Sequence, residues 1–367
     1  MRTTLDIRAF FCSMKDPRLE RARLHSLEDI VFITIAAVIS GAESWNDIED
    51  FGKSKREWLS TFLELPNGIP SHDTFNRFFS ALDPESFEEC FMNWISSISE
   101  YIQGEVISID GKALRGSKWN ASQTAIHLVS AWANTNQLAL AQCMVDQKSN
   151  EITAIPKLLD MLFLKGCIIT IDAMGTQCDI AKKIVEKEAD YILAVKGNQK
   201  ELFENIQDAF RFEKKSDSYK TVESDHGRVE TRICTIITTL EMIENPDKWS
   251  RLQTLIRLDC ERYSKATKKT ETETRFYISS LNQSAEKIGS AIRSHWGIEN
   301  KLHWMLDVAF NEDHSRKRAG NAAVNFSTLN KIALNLLKKE GTLKRGIKGK
   351  RLKAAWDLDY LLKILEI

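Results

Sequence analysis

The chain has no apolar run long enough to cross a bilayer. The longest, Ile30–Ile39, follows Glu28 and Asp29 and reads as a buried core helix. The opening residues, MRTTLDIRAF, lack the apolar stretch of a secretory signal. The seven cysteines are odd in number and include no CxxC pair, which argues against a disulfide framework or a zinc ribbon. A reducing cytoplasm is the expected compartment, with no membrane partner. Net charge is missing too: 51 Lys and Arg balance 51 Asp and Glu, so the chain as a whole does not attract polyanions. Several reactive signatures are also absent. GKALRGSK (Gly111–Lys118) has Ser117 where a phosphate loop needs Lys, and it lies between β-like runs instead of opening a helix. His295, His303 and His314 have neither an HExxH spacing nor partner cysteines, and no GxSxG element occurs.

What is present is ordinary globular composition, 43% hydrophobic and 28% charged, on 367 residues, enough for one large domain and one or two smaller ones. The balanced charge hides an uneven distribution. Between Ser315 and Lys353 there are twelve Lys and Arg against one acid, Glu340, as expected if one face grips phosphates and carboxylates gather elsewhere. A solvated basic tail is the alternative.

Residues 1 to about 100 read as helical: Leu27–Ser40, Trp45–Leu63, Ser71–Ala81 and Pro84–Ser99. In GIPSHDTFNRFF, Ser71 or Asp73 caps a short helix whose polar face carries His72, Asn76 and Arg77, as a DNA-contacting helix-turn-helix or a plain helical hairpin would. Three β-rich runs follow, then alternating helix and strand, which predicts a mixed α/β sheet with helices on both faces. Residues 213 to about 282 are β-rich and predict an insertion between the last core strand and the next helix. Helices return at Ser284–Leu306 and Asn321–Lys339, and a basic, helical tail covers 346–367.

Two strands carry the chemistry. EVISID and CIITID are continuous apolar runs, as in central strands covered on both faces, and they end at Asp110 and Asp172. Strands joined through helices run parallel and bind ligands beyond their carboxyl ends. Were the two neighbours, both carboxylates would emerge side by side, as ligands for hard divalent cations. Either Asp could instead merely cap the turn that follows it. A third carboxylate is needed, and the segment IRSHWGIENKLHWMLDVAFNEDHSR offers Glu299, Asp307, Glu312 and Asp313. Glu299 is favoured because it can project from its helix toward the sheet edge. Two cations between such acids would relieve their repulsion and clamp both oxygens of a phosphoryl displacement.

IDGKALRGS, HLVSAW, KSNEITAIPKLL, TIDAMGTQ, DYILAVKGNQ, HGRVETR and HWGIENKLHWMLDVAFNEDHSRKR, with GIPSHDTFNRFF and LDPESFEECF ahead of them, follow one another along nearly the whole chain. In this the chain resembles the H-repeat-associated (ISAs-type) insertion-sequence DDE transposases. The resemblance implies a ribonuclease-H-like mixed sheet with flanking helices, a β-rich insertion at about 213–282 within a catalytic domain of 101–345, and an associated helical domain of 1–100. It implies a catalytic triad of Asp110, Asp172 and Glu299 holding two Mg²⁺, for which Mn²⁺ can substitute. The partner implied is double-stranded DNA, as transposon ends and target, with a homodimer when two ends are paired and a cytoplasmic, nucleoid-associated location when bound. Metal-dependent cleavage and strand transfer follow; a nuclease that does not join, or an inactive DNA-binding remnant, are the alternatives. One departure stands out. Related transposases surround their Glu with Tyr, Arg and Lys at fixed spacing, and those positions here hold Ile292, His295 and Leu306.

For DNA contact, Lys112 and Arg115 directly follow the first Asp, and a solvated charged turn is their alternative. His226 and Arg228 lie in a polar hairpin of the insertion, Arg293 lies near Glu299, and Arg316, Lys317 and Arg318 open the basic stretch. Trp296 and Trp304 are expected to pack in the core.

Overall fold

The computed structural model describes residues 7–11, 14–100, 102–118, 124–146, 149–225 and 227–365. Six helices come first: α1 (Ile7–Phe11), α2 (Leu27–Ile39), α3 (Trp45–Ser54), α4 (Arg56–Leu59), α5 (His72–Ala81) and α6 (Pro84–Ile98). Their starts obey capping chemistry: Ser26, Ser44, Ser71 and Asp83 each accept a hydrogen bond from a first-turn amide. The stretch 45–63, expected as one helix, breaks after Ser54, and α4 restarts at Arg56. α2 is buried almost all round, and Thr34 in it satisfies its hydroxyl on the Ile30 carbonyl at 2.7 Å. His72 is turned to Glu49, 2.7 Å away, instead of standing free on the α5 surface.

The sheet follows: β1 (Val106–Leu114), β2 (Ile126–Ala133), β3 (Leu138–Met144), α7 (Glu151–Met161), β4 (Ile168–Ile171), α8 (Cys178–Glu186), β5 (Asp190–Val195) and α9 (Lys200–Phe212). Four long strands then run consecutively, β6 (Asp217–Asp225), β7 (Arg228–Ile237), β8 (Thr254–Ser264) and β9 (Thr270–Ser279). All nine form one sheet in the order β3-β2-β1-β4-β5-β9-β8-β7-β6. β1, β2 and β3 are antiparallel, while β4 and β5 run parallel to β1. This order and these directions, with helices on both faces, make the fold ribonuclease-H-like. The β-rich segment attaches through β9, antiparallel to β5, and so prolongs the core sheet.

The C-terminal part is helical: α10 (Ala285–Gly297), a π-helical turn (Ile298–His303), α11 (Trp304–Phe310), α12 (Ala322–Lys339), α13 (Ile347–Trp356) and α14 (Leu358–Leu365). On one face of the sheet Ile107, Ile109, Ile169 and Ile171 pack with α7 and α8; on the other, Ile192, Ile256 and Leu258 pack with α10. A third core joins the N- and C-terminal helices, with α2 and α5 against α12 and α14 against α2, while Ile7 and Phe11 enter it through α6 and α2. Each such Ile, Leu or Phe contributes about 1.5–3 kcal/mol by burial. Among the described residues no helix is long and apolar enough to cross a membrane.

Candidate functional site

The site starts from strand register. β1 and β4 pair in parallel with Ile109 opposite Ile171, so Asp110 and Asp172 stand level at the point where β4 ends. β1 does not end there, as the sequence suggested; it continues to Leu114 because β2 pairs with it over that length. Asp110 therefore lies inside a strand and caps no turn. Asp172 does orient the following turn, its Oδ1 accepting from the amides of Met174 (3.1 Å) and Gly175 (3.3 Å).

Glu299 comes from the π-helical turn, the wider helix geometry that recurs at functional sites. Its approach depends on Gly297, where a Cβ would stand 2.1 Å from Asn134 Oδ1 at the end of β2. Beyond Glu299 the same stretch faces β1: His303 Nδ1 is 3.5 Å from Asp110 Oδ2, and Asp307 accepts from Lys112 Nζ at 2.5 Å. One cleft of about 240 Å³ is lined by Asp110, Asp172 and Glu299 together with Lys196, Arg275 and Tyr277. A groove of about 370 Å³ between α10 and the β6–β9 face opens beside it and shares Arg275 and Trp296.

The electrostatics are those of crowded like charge. Burial first, then the negative charges of Asp172, Glu151 and Glu299, push the Asp110 carboxyl up to about 7, against the opposing hydrogen bond from the Gly111 amide. Burial lowers His295 to about 4 and His303 to about 3, so both rings are neutral near pH 7. His295 Nδ1 is 2.9 Å from the Thr170 hydroxyl, which reaches Ser108 at 3.1 Å. The donor set is three carboxylates, oxygen ligands that suit Mg²⁺ or Mn²⁺ and not a thiophilic metal. Among the described residues no three His, Cys, Asp or Glu stand in ligating arrangement, and Glu299 lies on the exposed rim.

The basic residues divide sharply. Arg115, Arg228, Arg293 and Arg316 are exposed, although Arg293 touches Glu223 at 3.3 Å and Arg115 lies 3.4 Å from Asp313. Lys112 and Lys317, expected as phosphate contacts, are engaged inside the protein. Lys112 is enclosed by Asp307 and Glu312, and Lys317 donates to the Glu43 carbonyl with its ammonium 3.4 Å from the Phe326 ring centroid. Arg318 Nε donates to the Gly116 carbonyl at 3.0 Å. His226 lies outside the described residues. Trp304, expected in the core, is 53% exposed, whereas Trp296 is half-buried under Arg275.

Sequence reasoning missed Lys196, Arg275, Glu151 and the contact of His303 with Asp110. Lys196 was within reach, because it follows β5 just as Asp172 follows β4. Glu151 left no signal of its own in the sequence; it is the first residue of α7, after the cap Asn150.

The family model described as Transposase DDE domain matches residues 102–336, and the one described as DDE_Tnp_1-associated matches residues 8–95. Among similar proteins, "Putative transposase YncI" of Escherichia coli O157:H7 is 46% identical over 348 residues, 93% of this chain and 89% of that one. "H repeat-associated putative transposase YhhI" of Escherichia coli K12 is 45% identical over 349 residues, 93% and 92% of the two chains. A cryo-EM structure of the piggyBac transposase synaptic complex with hairpin DNA aligns with 98% of this chain and 81% of its own, at a TM-score of 0.44 and 13% identity.

Proposed function

The chain belongs to the transposase DDE-domain family, and on that premise we propose that it moves an insertion-sequence element by cutting and joining DNA. It binds the element's terminal repeats, cleaves phosphodiester bonds there with water, and directs the freed 3′-hydroxyl at target DNA. The observation that supports this most is the convergence of Asp110, Asp172 and Glu299 on one cleft, two of them through strand register and the third through the π-helical turn.

Asp110, Asp172 and Glu299 would hold two Mg²⁺, with Asp110 the principal ligand; Mn²⁺ could substitute. When bound, the cations supply Lewis acidity to the attacking and leaving oxygens. The remaining work belongs to the chain. The amides of Met174 and Gly175 fix one oxygen of Asp172, leaving the other for the cleft. Neutral His303 stands 3.5 Å from Asp110 and adds no charge to it. Lys196 and Arg275 bring positive charge to the cleft where the scissile phosphate must lie. Arg115, Arg228, Arg293 and Arg316 offer exposed guanidinium groups to flanking phosphates. Pairing two ends calls for two copies of the chain.

The test is a supercoiled plasmid carrying the element's own ends, incubated with Mg²⁺ or Mn²⁺ and either wild type or Asp172→Asn. The expected result is metal-dependent cutting at the ends by wild type alone, followed by joined products. Equal cutting by both proteins would refute the role of Asp172. Cutting without joining would reduce the activity to that of a nuclease, and binding without cutting to that of a DNA-binding remnant.

A further inference from the structure

Glu151 opens α7, on the face of the sheet opposite α10. Its carboxylate is only 14% exposed and does not point to solvent; Oε1 lies 2.7 Å from His127 Nε2 on β2. The same oxygen rests on the backbone of β1 beside Asp110. A Cβ added to Gly111 would stand 2.0 Å from Glu151 Oε1 and 2.5 Å from His127 Nε2. No larger residue fits at position 111 while this pair stays in place. Asp110 and Gly111 point to opposite faces of the strand, and the acid could be walled off by the sheet. It is not, because β4 stops at Ile171 while β1 runs on to Leu114. Past that step Glu151 lies close enough to Asp110 and Asp172 for their charges to act on one another, while Glu299 lines the cleft with the two aspartates.

We propose that Glu151, pinned by His127 over Gly111, is a fourth carboxylate of the cation-binding cluster, closing it from the α7 face of the sheet. This rests on the reading of Asp110, Asp172 and Glu299 as cation ligands. The competing account is an ion pair that fastens α7 to β2, with an acid that also suits a helix N-terminus. The two accounts differ in sign. A fastening pair stabilises the free protein and is indifferent to cations. An acid beside two aspartates adds repulsion to the free protein and affinity to the loaded one. His127 sets the direction of the carboxylate, as partners of metal-binding groups do, and Gly111 sets its distance.

The experiment measures Mn²⁺ alone, without DNA, binding to the full-length protein by the free-Mn²⁺ electron paramagnetic resonance signal, alongside melting with and without Mn²⁺. For Glu151→Gln the expected result is roughly 10- to 100-fold weaker Mn²⁺ binding, with a metal-free melting temperature that holds or rises. Unchanged Mn²⁺ affinity with a lowered metal-free melting temperature would overturn the proposal in favour of the fastening pair. Asp110→Asn separates the two levels of the argument. If it abolishes binding while Glu151→Gln does not, Glu151 alone is excluded. If wild type binds no Mn²⁺, the fourth ligand falls together with the triad. Should Glu151→Gln fail to fold, Gly111→Ala and His127→Asn decide, since both displace the carboxylate without deleting it. Each is expected to weaken Mn²⁺ binding at least severalfold, and unaltered affinity in both would overturn the proposal.

Discussion

Asp110 and Lys112 stand two residues apart on the same face of β1, yet they belong to opposite electrostatic regimes. Around Asp110 the neighbours are acids, and its carboxyl is pushed up to about 7 by burial and by Asp172, Glu151 and Glu299. Around Lys112 every charge has an internal answer. Its ammonium is bound by Asp307 and Glu312, Asn330 donates to the other oxygen of Glu312, and the fully buried Lys331 lies near both Glu312 and Glu88. Lys331 itself donates to Gln142 and Ser327, and the amide of Gln142 donates to Glu88. Burial raises Glu88 toward its neutral form. Lys112 and Lys331 thus stand among Asp307, Glu312 and Glu88, each of which also accepts a hydrogen bond. Inside this network each acid meets a lysine or a hydrogen-bond donor; two residues along the strand Asp110 stands among other acids, with Lys196 and Arg275 lining the same cleft. The proposed cation-binding role of Asp110 rests on that contrast.

The contrast can be broken from either side. The largest effect belongs to Asp110→Asn, which should lower cleavage of the element's ends by about three orders of magnitude. Its metal-free melting temperature should not fall, because a crowded like charge has been removed. Lys331→Met attacks the balanced network and should do the reverse. With Glu88 and Glu312 left in a dry interior, we expect a loss of about 3–5 kcal/mol in denaturant unfolding, and a second change, Glu88→Gln, should recover part of it.

Lys112→Met sharpens the boundary between the regimes. It should cost about 2 kcal/mol through its two charged hydrogen bonds, yet leave the salt dependence of DNA binding unaltered. Arg316→Ala should cost no stability and lower the slope of log affinity against log salt by about one. A shallower slope in Lys112→Met would return that lysine to the DNA face.

The smallest effect concerns Glu340, whose carboxylate has Lys350 at 3.7 Å and is held chiefly by hydrogen bonds. Burial alone would raise Glu340, but the hydroxyls of Thr342 and Tyr360 and the amides of Thr342 and Leu343 outweigh it and hold the carboxyl at about 2. Since this lies below the unfolded value, its stabilisation is complete above about pH 4.5 and is lost as pH falls through about 2. Glu340→Gln should therefore cost about 1 kcal/mol at pH 7, with a gap to wild type that closes on acidification.

Much of this was legible in the residues, for identifiable reasons. Apolar runs ending in Asp marked β1 and β4, because central strands must be apolar on both faces and a carboxylate at their ends breaks that pattern. Ser71 and Asp83 marked helix starts, because amides at a helix N-terminus need an acceptor. Asp110, Asp172 and Glu299, far apart along the chain, line one cleft. Burial of the basic stretch was not legible. Lys317, Lys331, Lys350 and Arg351 are all buried, and counting charge along the chain cannot tell a solvated lysine from one that answers Glu43 or Glu88. Nor was the burial of α12 on nearly every side legible; it runs between the N-terminal helices and β3. The π-helical turn left no trace at all, since the extra residue it accommodates is defined by hydrogen bonding and not by composition.

The joint helical core has a consequence for how the chain comes apart. α2 packs against α12, α13 and α14, and α12 in turn carries Asn330 to Glu312 and Lys331 beside it. Loosening the N-terminal helices therefore uncovers α12 and disturbs the charged network that leads to Lys112 on β1, so the helical layer and the sheet are expected to unfold together in a single transition.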